Sequence, residues 1–152
     1  MSTHRLLNFF GSVALVIVVG LLPVSNAQAT GAVESKMSAT TGQGEGHVVI
    51  SPTSQDHGTF AAEITVNIHN AQPNTTFSIQ RAPDLMPDGI CTGSYIPFGV
   101  TLSTSNDGAG AKHFHFERGA PLVSGVQFDV VFQAIGSDGS ILQSDCITVT
   151  VK

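Results

Sequence analysis

The chain reads as an all-β domain, a sandwich of two antiparallel sheets with about seven strands and one disulfide. Three observations predict this. Between Phe60 and Arg81, Ala62, Ile64, Val66 and Ile68 alternate with Glu63, Thr65, Asn67 and His69, and the alternation resumes at Phe77 and Ile79 after a break at Asn70–Thr75. Alternation at period 2 is the mark of a strand with one dry face. Turn residues recur at short intervals through the rest of the chain, and two cysteines, Cys91 and Cys146, follow an export-type N-terminus.

Taken in order, Arg5 precedes a mostly apolar run from Leu6 to Val24 that ends in Ala27-Gln28-Ala29. A basic start, an apolar middle and small residues at the cleavage spacing predict a signal peptide over 1–29. The alternative is an uncleaved anchor, since a membrane span takes roughly 20 residues; Pro23 argues against it by breaking the helix. Cleavage leaves 123 residues, enough for one domain, with eleven acids against five of the six lysines and arginines and a net charge of −6. That balance, without a basic cluster, excludes nucleic acid as an expected partner. After processing no second apolar run could span a membrane. The expected location is secreted or extracytoplasmic, where two cysteines pair by default.

Residues 30–46 are rich in Gly, Ser and Thr, with no apolar period, and predict a flexible linker. The sandwich domain is expected over 47–152. Its strands begin at His47–Ser51, then Phe60–His69, Phe77–Arg81, Phe98–Leu102, Phe114–Phe116, Val126–Ala134 and Ile141–Val151. Asn106-Asp107-Gly108 and Ser137-Asp138-Gly139 are turn signals, because these residues tolerate positive φ. Alternation fails between Ala82 and Ile96, the longest irregular stretch, where Cys91 would act as a staple. In the last strand Ile147, Val149 and Val151 share one parity and Cys146 the other. Either a bulge near Ser144 resets the register or the disulfide lies on the outer face and pins the long loop, which is the preferred reading.

The run Ile64, Val66, Ile68 followed by Pro73-Asn74-Thr75-Thr76-Phe77 resembles the strand, turn and aromatic-start strand of fibronectin type III and related immunoglobulin-like domains. The resemblance covers about fifteen residues and implies an immunoglobulin-like sandwich, without the core Trp of true immunoglobulin domains. Such domains serve mostly as binding, spacer or adhesion modules.

Two stretches stand out as candidate sites. In Lys112-His113-Phe114-His115-Phe116-Glu117, burial of the phenylalanines would set His113, His115 and Glu117 in a row on the opposite face. A His-x-His pair suits zinc or copper, with a further ligand from His69, Glu63 or His57; the plain alternative is a polar outward face. The second stretch is the loop from Arg81 to Cys91, where Asp84, Leu85, Met86 and Asp88 would meet a partner or Leu85, Met86 and Ile90 would fold back to cap the sandwich. No Gly-x-Ser-x-Gly, His-Glu-x-x-His, phosphate-binding glycine loop or Cys-x-x-Cys is present. The function expected from sequence is therefore a secreted, non-enzymatic binding or structural module for an unknown protein or surface ligand. The alternative is a metal-binding protein using the histidine pair, and a third possibility is an edge strand completing a neighbour's sheet.

Overall fold

A computed structural model describes residues 31–54, 59–118 and 122–152. The expected signal peptide, residues 55–58 with the candidate ligand His57, and residues 119–121 lie outside these residues. Among the described residues nine strands form: β1 Val33–Thr41, β2 Glu45–Thr53, β3 Phe60–His69, β4 Thr76–Asp84, β5 Ile96–Ser103, β6 Gly110–Arg118, β7 Gln127–Gly136, β8 Ile141–Ser144 and β9 Ile147–Thr150. All their pairings are antiparallel. One continuous sheet runs in the order β5-β4-β7-β8-β1-β2-β3-β6, and β9 also pairs with β7.

The sheet curls until its two end strands meet. No ladder joins β5 to β6; instead Phe98 of β5 meets Phe114 and Phe116 of β6 nearly edge-on, with ring centroids 5.1 and 5.2 Å apart. The result is an all-β, nearly closed barrel with one disulfide rather than two separate sheets. The strand that makes the difference is β1. Residues 33–41 do not form the expected linker: β1 pairs with β2 on one side, Val33 to Ser38 against Ile50 to Glu45, and with β8 on the other. Its backbone hydrogen bonds weld the two halves of the barrel together. Hydrophobic alternation missed it because its buried positions are Ser35 and Met37, and only Met37 is a large apolar residue. The Ser35 hydroxyl accepts the Asp145 N–H at 3.1 Å, so a polar side chain does the work of a core contact here.

Elsewhere the expected strands form close to their predicted places, because inward residues at period 2 share one core. Ile64, Val66 and Ile68 of β3 meet Phe77 and Ile79 of β4 and Phe132 of β7 in a single buried cluster. Full burial of side chains of this size contributes about 1.5–3 kcal/mol each. The last predicted strand is two. Leu142 and Ser144 of β8 point inward, the chain breaks at Asp145-Cys146, and Val149 of β9 points inward with the opposite parity. Both sequence readings therefore hold in part: the register resets, and the half-buried Cys91–Cys146 bridge lies outside the core cluster.

The two ends of the barrel differ. At one end the turns are tight, with Asn70 and Asn74 at φ 55° and 54° between β3 and β4. Ala71 N–H donates to the Gly108 carbonyl of the β5–β6 turn at 3.2 Å. Gly108 is required there: its φ is 74°, and a Cβ would lie 2.2 Å from the Ala71 carbonyl oxygen. The other end carries the long 85–95 connection and residues 122–126. Among the described residues no helix is long and apolar enough to cross a membrane.

Candidate functional site

Two inward rows of side chains end in arginine at the loop end of the barrel. On β4 the row is Phe77, Ile79, Arg81, facing Gly136, Ala134 and Phe132 of β7. On β6 it is Phe114, Phe116, Arg118, facing Ile64, Ala62 and Phe60 of β3. The curl of the sheet brings the two rows together across the seam beside β5. Arg81 lies with its guanidinium carbon 4.4 Å from the Phe98 ring centre and 4.3 Å from that of Phe116, within cation–π range. Its Nη1 donates to the Ile96 carbonyl at 3.4 Å. Burial, with the nearby positive charge of Arg118 adding to it, holds Arg81 below the usual arginine range. Among the described residues no carboxylate pairs with Arg81 or Arg118.

Beneath the arginines lies an apolar cavity of about 30 Å³, with Ile64, Phe98, Phe128, Phe132 and Val149 in its wall and Leu85 and Leu122 at its mouth. Its aromatic frame is tight: Phe60 meets Phe128 edge-on at 5.1 Å, and Phe98 stacks on Phe132 at 5.9 Å. The space holds one or two waters, so a guest enters as a slender group or displaces the mouth residues. A two-residue irregularity in the β4–β5 pairing, between Ile79↔Val100 and Gln80↔Pro97, accommodates Phe98 and Gly99 in this wall. Bulges of this kind commonly re-aim a side chain at a site.

The 85–95 connection is tied down at several points. The Asp84 carboxylate accepts from the Thr92 hydroxyl at 2.7 Å and from the backbone N–H groups of Met86 and Thr92 at 3.1 and 3.2 Å. The Thr92 hydroxyl first, then these N–H groups, hold its pKa below the ordinary 3.8. Asp88 accepts the Ile90 N–H at 2.9 Å. Asp129, fully buried, accepts the Gly89 N–H and the Thr148 hydroxyl, each at 2.6 Å. The disulfide adds a covalent tie, with its Cα atoms 5.6 Å apart. On this fixed loop Leu85, Met86 and Ile90 are 65, 68 and 61% exposed, so they do not cap the barrel by burial, although Leu85 borders the cavity. Val123 is similarly exposed on the neighbouring connection. Asp84 and Asp88 both accept N–H groups of the loop's own backbone, and Asp88 is itself exposed.

The histidine pair lies elsewhere, on the outer face of β6. His113 and His115 do share that face, and they converge on Glu63 of β3, His113 through Nε2 at 3.0 Å and His115 through Nδ1 at 2.8 Å. The Thr65 hydroxyl lies 2.9 Å from His113 Nδ1. With its proton on Nε2, a neutral His113 donates to Glu63 and accepts from Thr65, so both ring nitrogens are engaged. The other expected ligands are not brought in. Glu117 stands opposite Ala61, and His69, beside Glu45 and Asn70, is six residues along β3 from Glu63, about 20 Å in a strand. His57 lies outside the described residues. Among the described residues no three His, Cys, Asp or Glu side chains are grouped to hold a metal ion.

Sequence reasoning thus named the histidines and the loop and passed over the arginines. The signal was present in both cases: Arg81 and Arg118 each continue an apolar row at the same parity, where an outward residue would fall out of step. No family model matches the chain, and no curated protein matches it.

Proposed function

We propose that the chain is an exported, non-enzymatic binding module that takes a small apolar or amphipathic ligand at the loop end of its barrel. The observation that carries this reading is the aromatic-walled cavity open beside exposed Leu85 and Met86 on a loop held by a disulfide and three aspartates. Concave apolar sites with few polar groups are the usual form of small-molecule sites. Rigid connections on a β framework are where recognition residues commonly sit. Export is supported by the signal-like N-terminus and agrees with the disulfide. The finer architectural reading is an immunoglobulin-like sandwich whose two layers, β5-β4-β7 and β2-β3-β6, are bridged by β8 and β1.

The test is a titration of the processed, oxidised protein with 1-octanol, a neutral probe, followed by amide and methyl chemical shifts. Shifts confined to Phe60, Phe98, Leu122 and Phe128 support the reading; no perturbation up to the solubility of the probe overturns it. A second reading, a zinc or copper site, draws on the convergence of His113 and His115 with Glu63 on adjacent strands. It requires the metal to displace Thr65 or Glu63 from the imidazoles, and it predicts loss of metal binding in His113→Ala and His115→Ala alike.

A further inference from the structure

We infer that the ligand of the barrel mouth is an aliphatic carboxylate, its head held by Arg81 and Arg118 and its tail directed into the phenylalanine-walled cavity. This rests on the binding-module reading and adds the chemistry of the head group. Charge points to an anionic head. Two guanidiniums, half-buried Arg81 and exposed Arg118, line the same largely apolar cavity, and no carboxylate among the described residues neutralises either. For Arg81 this is unfavourable in the empty protein, because partly burying a charge costs free energy unless it is paired, while exposed Arg118 remains free to turn toward an anion. It becomes favourable when an anion sits between the two. The protein has eleven acids, yet its described carboxylates are engaged elsewhere or lie on other faces: Glu63 with His113 and His115, Glu45 with Lys36 and His69, and Asp84 and Asp129 with the loop.

Geometry selects the head. Arg81 packs against the Phe98 and Phe116 rings and donates through Nη1 to the Ile96 carbonyl, so its remaining N–H groups are what it has to offer. A guanidinium edge matches the two-oxygen edge of a carboxylate in a planar bidentate pair. The tail follows from the cavity, which begins beside both arginines and is walled by hydrocarbon. A bilayer of anionic lipid is disfavoured as the occupant, because a domain of net charge −6 is repelled by a negative surface.

The experiment compares octanoate with 1-octanol, same tail and different head, by calorimetry on the processed, oxidised protein at low ionic strength, with wild type, Arg118→Gln and Arg81→Lys. Expected is octanoate binding at least tenfold tighter than octanol in the wild type, with that preference erased in R118Q and reduced in R81K. R118Q also removes the repulsion at Arg81, so its unliganded melting temperature should equal or exceed that of the wild type while octanoate no longer raises it. Equal affinity for the two probes overturns the carboxylate assignment and leaves the apolar site standing. Binding of neither overturns both. An undiminished octanoate preference in R118Q overturns the assignment to this arginine pair. Sedimentation with phosphatidylglycerol vesicles in the absence of octanoate binding overturns the single-molecule ligand in favour of a membrane surface.

Discussion

The two faces of β6 carry charge in opposite ways. On the outer face His113 and His115 meet Glu63, and His113 also meets Thr65, so both histidines have partners. The other face carries the row Phe114, Phe116, Arg118, which ends in an exposed cation that, with Arg81, has no carboxylate among the described residues. A satisfied cluster has little affinity left over for a ligand, since any newcomer must first displace an existing hydrogen bond. An unsatisfied cluster held in place by packing is the better candidate for recognition, because the cost of assembling it has already been met by the fold.

That contrast can be broken first at the disulfide. Cys91→Ser combined with Cys146→Ser opens a closed loop with a sequence separation of 55, and in the chain-entropy model this costs about 4 kcal/mol. Denaturant unfolding should show the loss, and hydrogen exchange should rise in residues 85–95 while the amides around His113 and His115 keep their relative protection. A uniform rise over both regions would mean that the loop is not separately held and that the contrast between the faces is false.

A smaller effect should follow pH. Asp84 titrates below its ordinary 3.8 because Thr92 and the Met86 N–H stabilise the carboxylate. A lowered folded-state pKa adds stability that is complete above the ordinary value and is lost as pH falls through the folded one. Asp84→Asn should therefore flatten the decline in stability below about pH 4, read from unfolding midpoints at pH 6, 4 and 3. Parallel curves for variant and wild type would remove Asp84 from the set of loop anchors.

The smallest effect is expected at the motif most visible in the sequence. Glu63→Gln should change stability by less than about 1 kcal/mol, as for other solvent-screened ion pairs, and should leave octanoate affinity unaltered. The side chains of Glu63, His113 and His115 are 39, 63 and 47% exposed, which is why screening is strong. A loss several times larger would make the outer face part of the barrel's framework and reverse the comparison.

Much of the fold was legible in the residues because alternation and turn chemistry are local. Ile64, Val66 and Ile68 define their strand without help from any distant segment, and Asn70, Asn74 and Gly108 fall where positive φ is needed. Legibility failed where a residue's role depends on a distant backbone. Ser35 and Met37 look like linker residues until β8 and β2 pair on either side of them. The candidate site was half legible: parity places Arg81 with Phe77 and Ile79, and Arg118 with Phe114 and Phe116, but a His-x-His pattern is a named motif and two separate arginines are not.

By itself the sequence determined an all-β chain, its strand segments from Phe60 onward and the inward parity of both arginines, because each follows from side chains one to four residues apart. Only the tertiary structure decided that one sheet would curl until β5 and β6 met. That closure sets Arg81 beside Arg118, which is 37 positions away in the chain, over rings from β5 and β6. Strand order is settled by long-range backbone pairing and by filling a shared core, and neither quantity is written in any short stretch of residues.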